Sequence, residues 1–207
     1  SMATKKKLEK TTKLNKPLLY AIIAVFGFVL YGNTINHDYA LDDGIVITQN
    51  VFTQQGIQGI DEIFKYDSFV GFWLSSYPNR TPEQIQEDKK LVAGGRYRPL
   101  SIATFAIEKS FFGDSPRAHH VINILIYILT GIVMLKLLFN LFPEVSDKWY
   151  WSFPFLAVLI FMAHPIHTEV CANIKGRDEL LSFLGALIAG LSYLKYMEIR
   201  KPKYLVT

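Results

Sequence analysis

Three groups of residues in this chain have types and spacings suited to chemistry. The first is Tyr39-Ala40-Leu41-Asp42-Asp43, with Asn50 a short way on. Paired carboxylates can hold a divalent cation, or their repulsion can raise one pKa and make a general base. A plain loop turn at Asp43-Gly44 is the alternative. The second group is Gly95-Arg96-Tyr97-Arg98-Pro99-Leu100-Ser101, followed downstream by His119, His120 and Asn123. His120, Asn123 and Tyr127 stand at i, i+3 and i+7, so they share one helical face; arginine and tyrosine are also common at membrane surfaces without any catalytic task.

The third group, His164 to Leu181 (HPIHTEVCANIKGRDELL), carries the most polar chemistry and lies between two apolar segments. Charges beside hydrocarbon need partners or a water-filled cavity, which makes this stretch a site candidate. Pro165 suits the first turn of a helix. From there Glu169, Asn173 and Arg177 recur at i, i+4 and i+8, while Val170 and Ile174 mark another face. Arginine offers a planar fork for phosphate, and histidine and glutamate can bind a cation or move a proton. The alternative is a helix-packing salt bridge between Glu169 and Arg177 or Asp178. His164 and His167 are not at a known zinc spacing, and the lone Cys171 cannot complete such a site or form an intrachain disulfide. A phosphate-binding glycine loop and a serine nucleophile elbow are absent from the sequence.

The elements that must position these groups are membrane helices. Of 207 residues, 50% are hydrophobic and 14% aromatic, with a mean hydropathy of +0.20, which is more apolar than soluble domains usually are. The net charge of +4 comes with lysines crowded at the two ends, a pattern of membrane topology and not of nucleic-acid binding. Ser1-Met2-Ala3 reads as a cloning scar, and no cleavable signal is evident.

Residues 1–16 form a basic cytoplasmic segment, 17–32 a first span, and 33–117 a large extracytoplasmic loop. Within that loop Gly56–Tyr66 has the spacing of an amphipathic surface helix and Pro82–Leu91 that of a solvated one. A second span covers 118–142, a short link 144–148 turns the chain, and Trp149, Tyr150 and Trp151 suit an aromatic belt opening a third span, 149–163. The extracytoplasmic amphipathic segment 164–179 leads into a fourth span, 180–197, and a cytoplasmic tail, 198–207. The expected fold is thus an all-α multi-pass membrane protein with four transmembrane helices, both termini cytoplasmic and all three polar groups on the outer face. Asn79-Arg80-Thr81 matches a glycosylation sequon in the outer loop.

Taken in order, Tyr39 to Asp43, Asn50, Tyr97-Arg98-Pro99-Leu100, His120, Asn123, and His164-Pro165-Ile166-His167-Thr168-Glu169 running to Gly176-Arg177-Asp178-Glu179-Leu180-Leu181 resemble the amino-terminal part of the transmembrane-and-TPR O-mannosyltransferases and their bacterial relatives, in the GT-C class of membrane glycosyltransferases. The resemblance covers about residues 18 to 197 and implies a partial GT-C fold. It implies a dolichyl or undecaprenyl phosphate hexose donor, and inverting transfer to an acceptor hydroxyl, such as a protein Ser or Thr, outside the cytoplasm. By the same resemblance Asp42, or else Asp43, is the base. Arg98, His120, Asn123, His164, His167, Glu169, Asn173 and Arg177 line the substrate cavity, with Arg177 toward the donor phosphate. Asp43 and Glu169 are the residues expected to touch a divalent cation, magnesium or manganese, if one is used. Members of the family have more spans and a carboxy-terminal helical-repeat region, so this chain is expected to be part of a longer enzyme in a bacterial inner membrane or the endoplasmic reticulum. A non-catalytic scaffold or polyprenyl-phosphate-binding subunit is the competing reading. A small transporter is disfavoured because the charges gather at one membrane face.

Overall fold

A computed structural model describes residues 16–88, 96–142, 149–201 and 204. The basic segment before Lys16, the link 144–148 and most of the tail after Lys201 lie outside the described residues. Every regular element among the described residues is helical. In chain order the α-helices are α1 (Lys16–Tyr31), α2 (Val51–Gln54), α3 (Ile60–Lys65), α4 (Val70–Ser76), α5 (Pro82–Asp88), α6 (Pro99–Phe112), α7 (Pro116–Leu141), α8 (Phe153–Ala163), α9 (His167–Ala172) and α10 (Arg177–Ile199). Short 3-10 turns occur at Gly32–Asn36, Gly56–Gly59, Trp149–Trp151 and Ile174–Gly176, and a π turn at Gly44–Thr48.

Three helical stretches are long and apolar enough to cross a membrane: Lys16–Asn36, Pro116–Leu141 and Ile174–Ile199. Exposed Val25, Phe28 and Val29 on α1 and Leu125 and Leu129 on α7 suit a lipid-facing surface. The expected third span is shorter than its sequence range. Its helix, α8, has 11 residues, about 16 Å at a helical rise of ~1.5 Å, against a hydrocarbon core of about 30 Å.

The chain divides into two compact units. One comprises the residues up to Leu30, Ile126–His167 and those from Ser182 onward. In it α8 starts beside the end of α7, where the Phe142 and Phe153 rings lie 5.1 Å apart. It ends beside the third turn of α7, where Tyr127 Oη donates to the Met162 carbonyl at 2.8 Å. Gly27 and Gly131 let the helices close here, since a Cβ at Gly131 would come within 2.6 Å of Met162 Sδ.

The second unit holds Tyr31–Leu125 and Thr168–Leu181. Its core gathers Ile47, Phe52, Ile63, Val70, Ile85, Ile102, Phe105, Ala106 and Ile174. Local signals set its short helices. Asn50 caps α2 by accepting from the Phe52 and Thr53 amides. α6 opens on Pro99, whose missing N–H costs nothing at that position, and stops at Gly113, which takes φ 67°. The expected Gly56–Tyr66 helix is split into a 3-10 turn and α3, with Ile63 buried while Ile57 and Phe64 are exposed.

Candidate functional site

The second unit brings the first and third sequence groups together through one residue, Lys175. Its backbone N–H donates to Asp43 Oδ1 at 2.8 Å, and its Nζ lies 3.3 Å from Asp42 Oδ2. The two neighbouring acids therefore have different environments. Asp43 is buried, and its Oδ2 accepts from the Ala40 amide at 2.9 Å. Burial raises the Asp43 carboxyl above the usual range, and the two amide hydrogen bonds and nearby His119 only partly offset this. Asp42 stays half-exposed. Between Ala40 and the acids, Leu41 adopts φ 47°, a left-handed conformation that a branched side chain rarely takes. Such local strain persists only where surrounding contacts hold it, and here the Asp43 bonds to Ala40 and Lys175 do so.

Next to this pair lies an open cleft lined by Ser68, Arg96, Arg98, Ser101, Lys175 and Asp178, with Phe105 and Ile102 behind them. Arg98 pairs with Asp178, and its backbone N–H donates to Ser68 Oγ at 2.9 Å. The Arg96 guanidinium stands over the Phe69 ring, 5.0 Å from its centroid. Asn50 reaches the Ser68 carbonyl at 3.1 Å and so ties the cleft to the capped start of α2. The cleft is small and its open surface is mostly apolar, with the Arg98–Asp178 and Lys175–Asp42 ion pairs beside it.

Arg177 has a different position from the one its spacing suggests. It is fully buried, and four hydrogen bonds take up its fork. Nε donates to Asn123 Oδ1 at 2.7 Å, one terminal nitrogen to Thr104 Oγ1 at 3.0 Å and to Glu108, and the other to the His119 carbonyl at 3.0 Å. The Phe105 ring covers it, 4.2 Å from centroid to guanidinium carbon. Glu108 also meets His119 Nδ1 at 2.5 Å. In this arrangement Arg177 has no face toward a ligand, and its ion-pair partner is Glu108, not Glu169.

The remaining expected site residues are placed as follows. Asn123 is buried and also donates to the carbonyls of Asn173 and Ile174, at 3.4 and 3.2 Å. His120 is buried with its ring edge-on to His37 at 6.1 Å. The Glu169, Asn173, Arg177 stripe is interrupted, because Asn173 leaves the helix at ψ 119° and caps the following turn by accepting from the Lys175 amide. Glu169 is exposed on α9. In the other unit, His164 is exposed and accepts from the Ile166 amide through Nδ1 at 3.2 Å. His167 packs on Phe161 with ring centroids 4.3 Å apart, and burial together with His164 lowers its pKa.

Among the described residues no three His, Cys, Asp or Glu side chains are grouped to hold a metal ion. With both Asp43 oxygens on backbone amides and Glu169 exposed elsewhere, these two residues do not fit a shared cation. Two partners were not singled out in the sequence. Glu108 ends the apolar run Ile102–Ile107, and a carboxylate there was the one available signal that a buried cation waited for it. Lys175 was hidden in a motif whose arginine and aspartate drew the attention.

No family model and no solved structure matches the chain. Curated relatives do. The human protein O-mannosyl-transferase TMTC2 is 29% identical over 181 residues, 86% of this chain and 19% of its own length. The Caenorhabditis elegans protein O-mannosyl-transferase F38B6.6 is 28% identical over 178 residues, 86% of this chain and 23% of its own. The mouse protein O-mannosyl-transferase TMTC3 is 34% identical over 99 residues, 48% of this chain and 10% of its own. The chain thus spans about a fifth of the length of the first two relatives. The resemblance carried by the sequence motifs holds: this chain is similar to the curated TMTC protein O-mannosyl-transferases.

Proposed function

We propose that this chain is the part of a GT-C membrane glycosyltransferase that carries the catalytic base and one wall of the donor pocket. The enzyme transfers a hexose, mannose by analogy with its relatives, from a polyprenyl phosphate to an acceptor hydroxyl on the extracytoplasmic side. The observation that carries this reading is Lys175 joining a half-exposed Asp42 to the small cleft beside Arg96 and Arg98, in a chain similar to proteins named O-mannosyl-transferases. Asp42 takes the proton from the acceptor hydroxyl. The oxygen attacks the anomeric carbon from the face opposite the phosphate, the bond to phosphate breaks, and the configuration inverts. Arg98 and Lys175 hold the departing phosphate. Arg177, enclosed by Glu108, Asn123 and Thr104, keeps the cleft wall in place.

The outer-face arrangement requires four crossings, and two local contacts support them. The start of α10 meets the start of α7 through Arg177 and the His119 carbonyl, and the last turns of the same helices line one groove through Lys136, Asn140, Lys195 and Glu198. Two neighbouring helices that run the same way need a return between them. α8, rising beside α7 from Phe142 to Tyr127, supplies most of it. The membrane is that of the endoplasmic reticulum or a bacterial cell.

Asp42→Asn in the full-length protein abolishes transfer from a polyprenyl-phosphate hexose while membrane insertion and thermal stability stay at the wild-type level. Undiminished transfer removes Asp42 as the base. A non-catalytic, lipid-phosphate-binding role gives instead donor binding that weakens on Arg98→Ala, with no turnover by the wild type.

A further inference from the structure

The carboxy-terminal halves of α7 and α10 touch without closing on one another. Leu137 stands 3.7 Å from the place a Cβ would take on Gly190, and beside that contact an open groove of about 880 Å³ runs between the two helices, within the size range of small-molecule sites. Its walls are graded along the helices. Val133, Ile188 and Leu191 line it toward the middle of the spans, and Lys136, Asn140 and Lys195 line its end. The two lysines lie about 30 and 27 Å along their helices from Pro116 and Arg177 at a rise of ~1.5 Å per residue, where a span leaves a hydrocarbon core about 30 Å thick. Among the described residues neither lysine has an ion pair, and Lys195 Nζ stands over the Tyr204 ring, 4.7 Å from its centroid. Arg200, at φ 57°, ends α10 and turns the chain so that Tyr204 joins the lining of the groove. Glu198 lines it too, which leaves one positive charge in excess, and Arg200 and Lys201 follow directly.

Apolar walls that end in unpaired cations match, in order and in charge, a molecule with hydrocarbon chains and an anionic head. A free phosphate leaves the apolar walls uncovered, and a choline head brings a cation against two lysines. Basic pockets between spans on the cytoplasmic side are suited to anionic headgroups. We propose that this groove holds an anionic phospholipid of the leaflet at that end of α7 and α10, the cytoplasmic one by the lysine bias. Its phosphate sits between Lys136 and Lys195, and an acyl chain runs along Val133, Ile188 and Leu191. Bound there, the lipid bridges two helices that leave a groove between them, and it stabilises the folded protein by mass action. The proposal rests on the membrane-spanning reading alone and stands whether or not Asp42 is a base.

The test uses the full-length protein in detergent, titrated with phosphatidylglycerol or phosphatidylcholine of matched chains, with bound lipid read by native mass spectrometry. Thermal unfolding of each variant without added lipid checks that it folds. Phosphatidylglycerol is expected to bind about tenfold or more tightly than phosphatidylcholine, and Lys136→Ala and Lys195→Ala to weaken it roughly fivefold each, while Lys136→Arg and Lys195→Arg retain it. Leu191→Trp, which fills the apolar wall and keeps both lysines, should weaken it as well. Lys16→Ala, on α1 and outside the groove, should leave it in place. Equal affinity for the two lipids, or an equal loss in Lys16→Ala, overturns the proposal, because general membrane charge then accounts for the binding. Unchanged binding in Leu191→Trp overturns it by putting the lipid elsewhere, and displacement by inorganic phosphate overturns it by making the site one for a free anion. Binding of neither lipid overturns it too, another segment of the full-length protein then filling the groove. Loss of transfer in Asp42→Asn bears on the catalytic reading and moves none of these signals.

Discussion

Arg177 illustrates how much a single buried ion decides. A guanidinium fully enclosed with Glu108, Asn123, Thr104 and the His119 carbonyl is stable only while each partner is present, because removing one leaves an uncompensated buried charge that costs roughly 3–5 kcal/mol. Arg177→Lys is expected to lose most of that, since an ammonium cannot reproduce a planar fork with four bonds. Thermal denaturation of the detergent-solubilised protein measures the loss. A ligand-binding arginine would instead leave the melting point in place and raise KM. Asp43 makes a second prediction at this scale. Its folded pKa is raised by burial, so its contribution to stability is fully present below its unfolded pKa and is lost as pH rises through the folded value. Wild-type protein should accordingly lose stability with rising pH above about pH 4 relative to Asp43→Asn, which has no charge to bury. The amide variant still pairs with one backbone N–H and loses the other, a uniform cost of about 1–3 kcal/mol. Parallel pH dependences in the two proteins remove Asp43 as the titrating group.

Among the elements, the segment after α9 shows where helical spacing misleads. Glu169, Asn173 and Arg177 are spaced for one continuous helix, but Asn173 turns out to cap the next turn, and the break swings Arg177 inward and Lys175 toward the aspartates. Gly176 makes that bend possible. A Cβ there would stand 2.6 Å from the Val170 carbonyl oxygen, a backbone atom that cannot step aside. Gly176→Ala should cost about 1–3 kcal/mol by overpacking and should weaken transfer by displacing Lys175; an unchanged melting curve with full activity contradicts this account. Cys171, buried on the preceding helix with its thiol pushed up to about 12, reports on the same element. It should resist iodoacetamide at pH 8 in the folded protein and react after Gly176→Ala loosens the bend, as mass spectrometry of the peptide would show.

At the scale of the whole molecule, the question is how an 11-residue helix serves where a span is needed. α8 lies against α7 and α1 through Met162, so protein, not lipid, covers part of its length, and its polar ends at Ser152 and His164 need not reach both surfaces unaided. Cysteines introduced at Ser146 and at Thr168 should label with membrane-impermeant maleimide from opposite sides of sealed vesicles. Labelling from the same side leaves α8 as a re-entrant segment and takes the His164–Leu181 stretch off the outer face.

By itself, the sequence determined the class of the molecule. Composition, lysine placement and apolar runs are properties of each segment alone, and they established an all-helical chain with membrane-length helices; the motif order was enough to identify its relatives. The polar residues of the three groups were legible for the same reason, since their types and local spacing are written in the chain. Only the tertiary structure decided their roles. Whether Arg177 faces a ligand or a carboxylate depends on Glu108, 69 residues away, and whether Asp42 or Asp43 is accessible depends on Lys175, whose amide reaches Asp43 across 132 residues. Burial and hydrogen-bond satisfaction arise from surfaces brought together by folding, and periodicity along one helix carries no information about what packs against it.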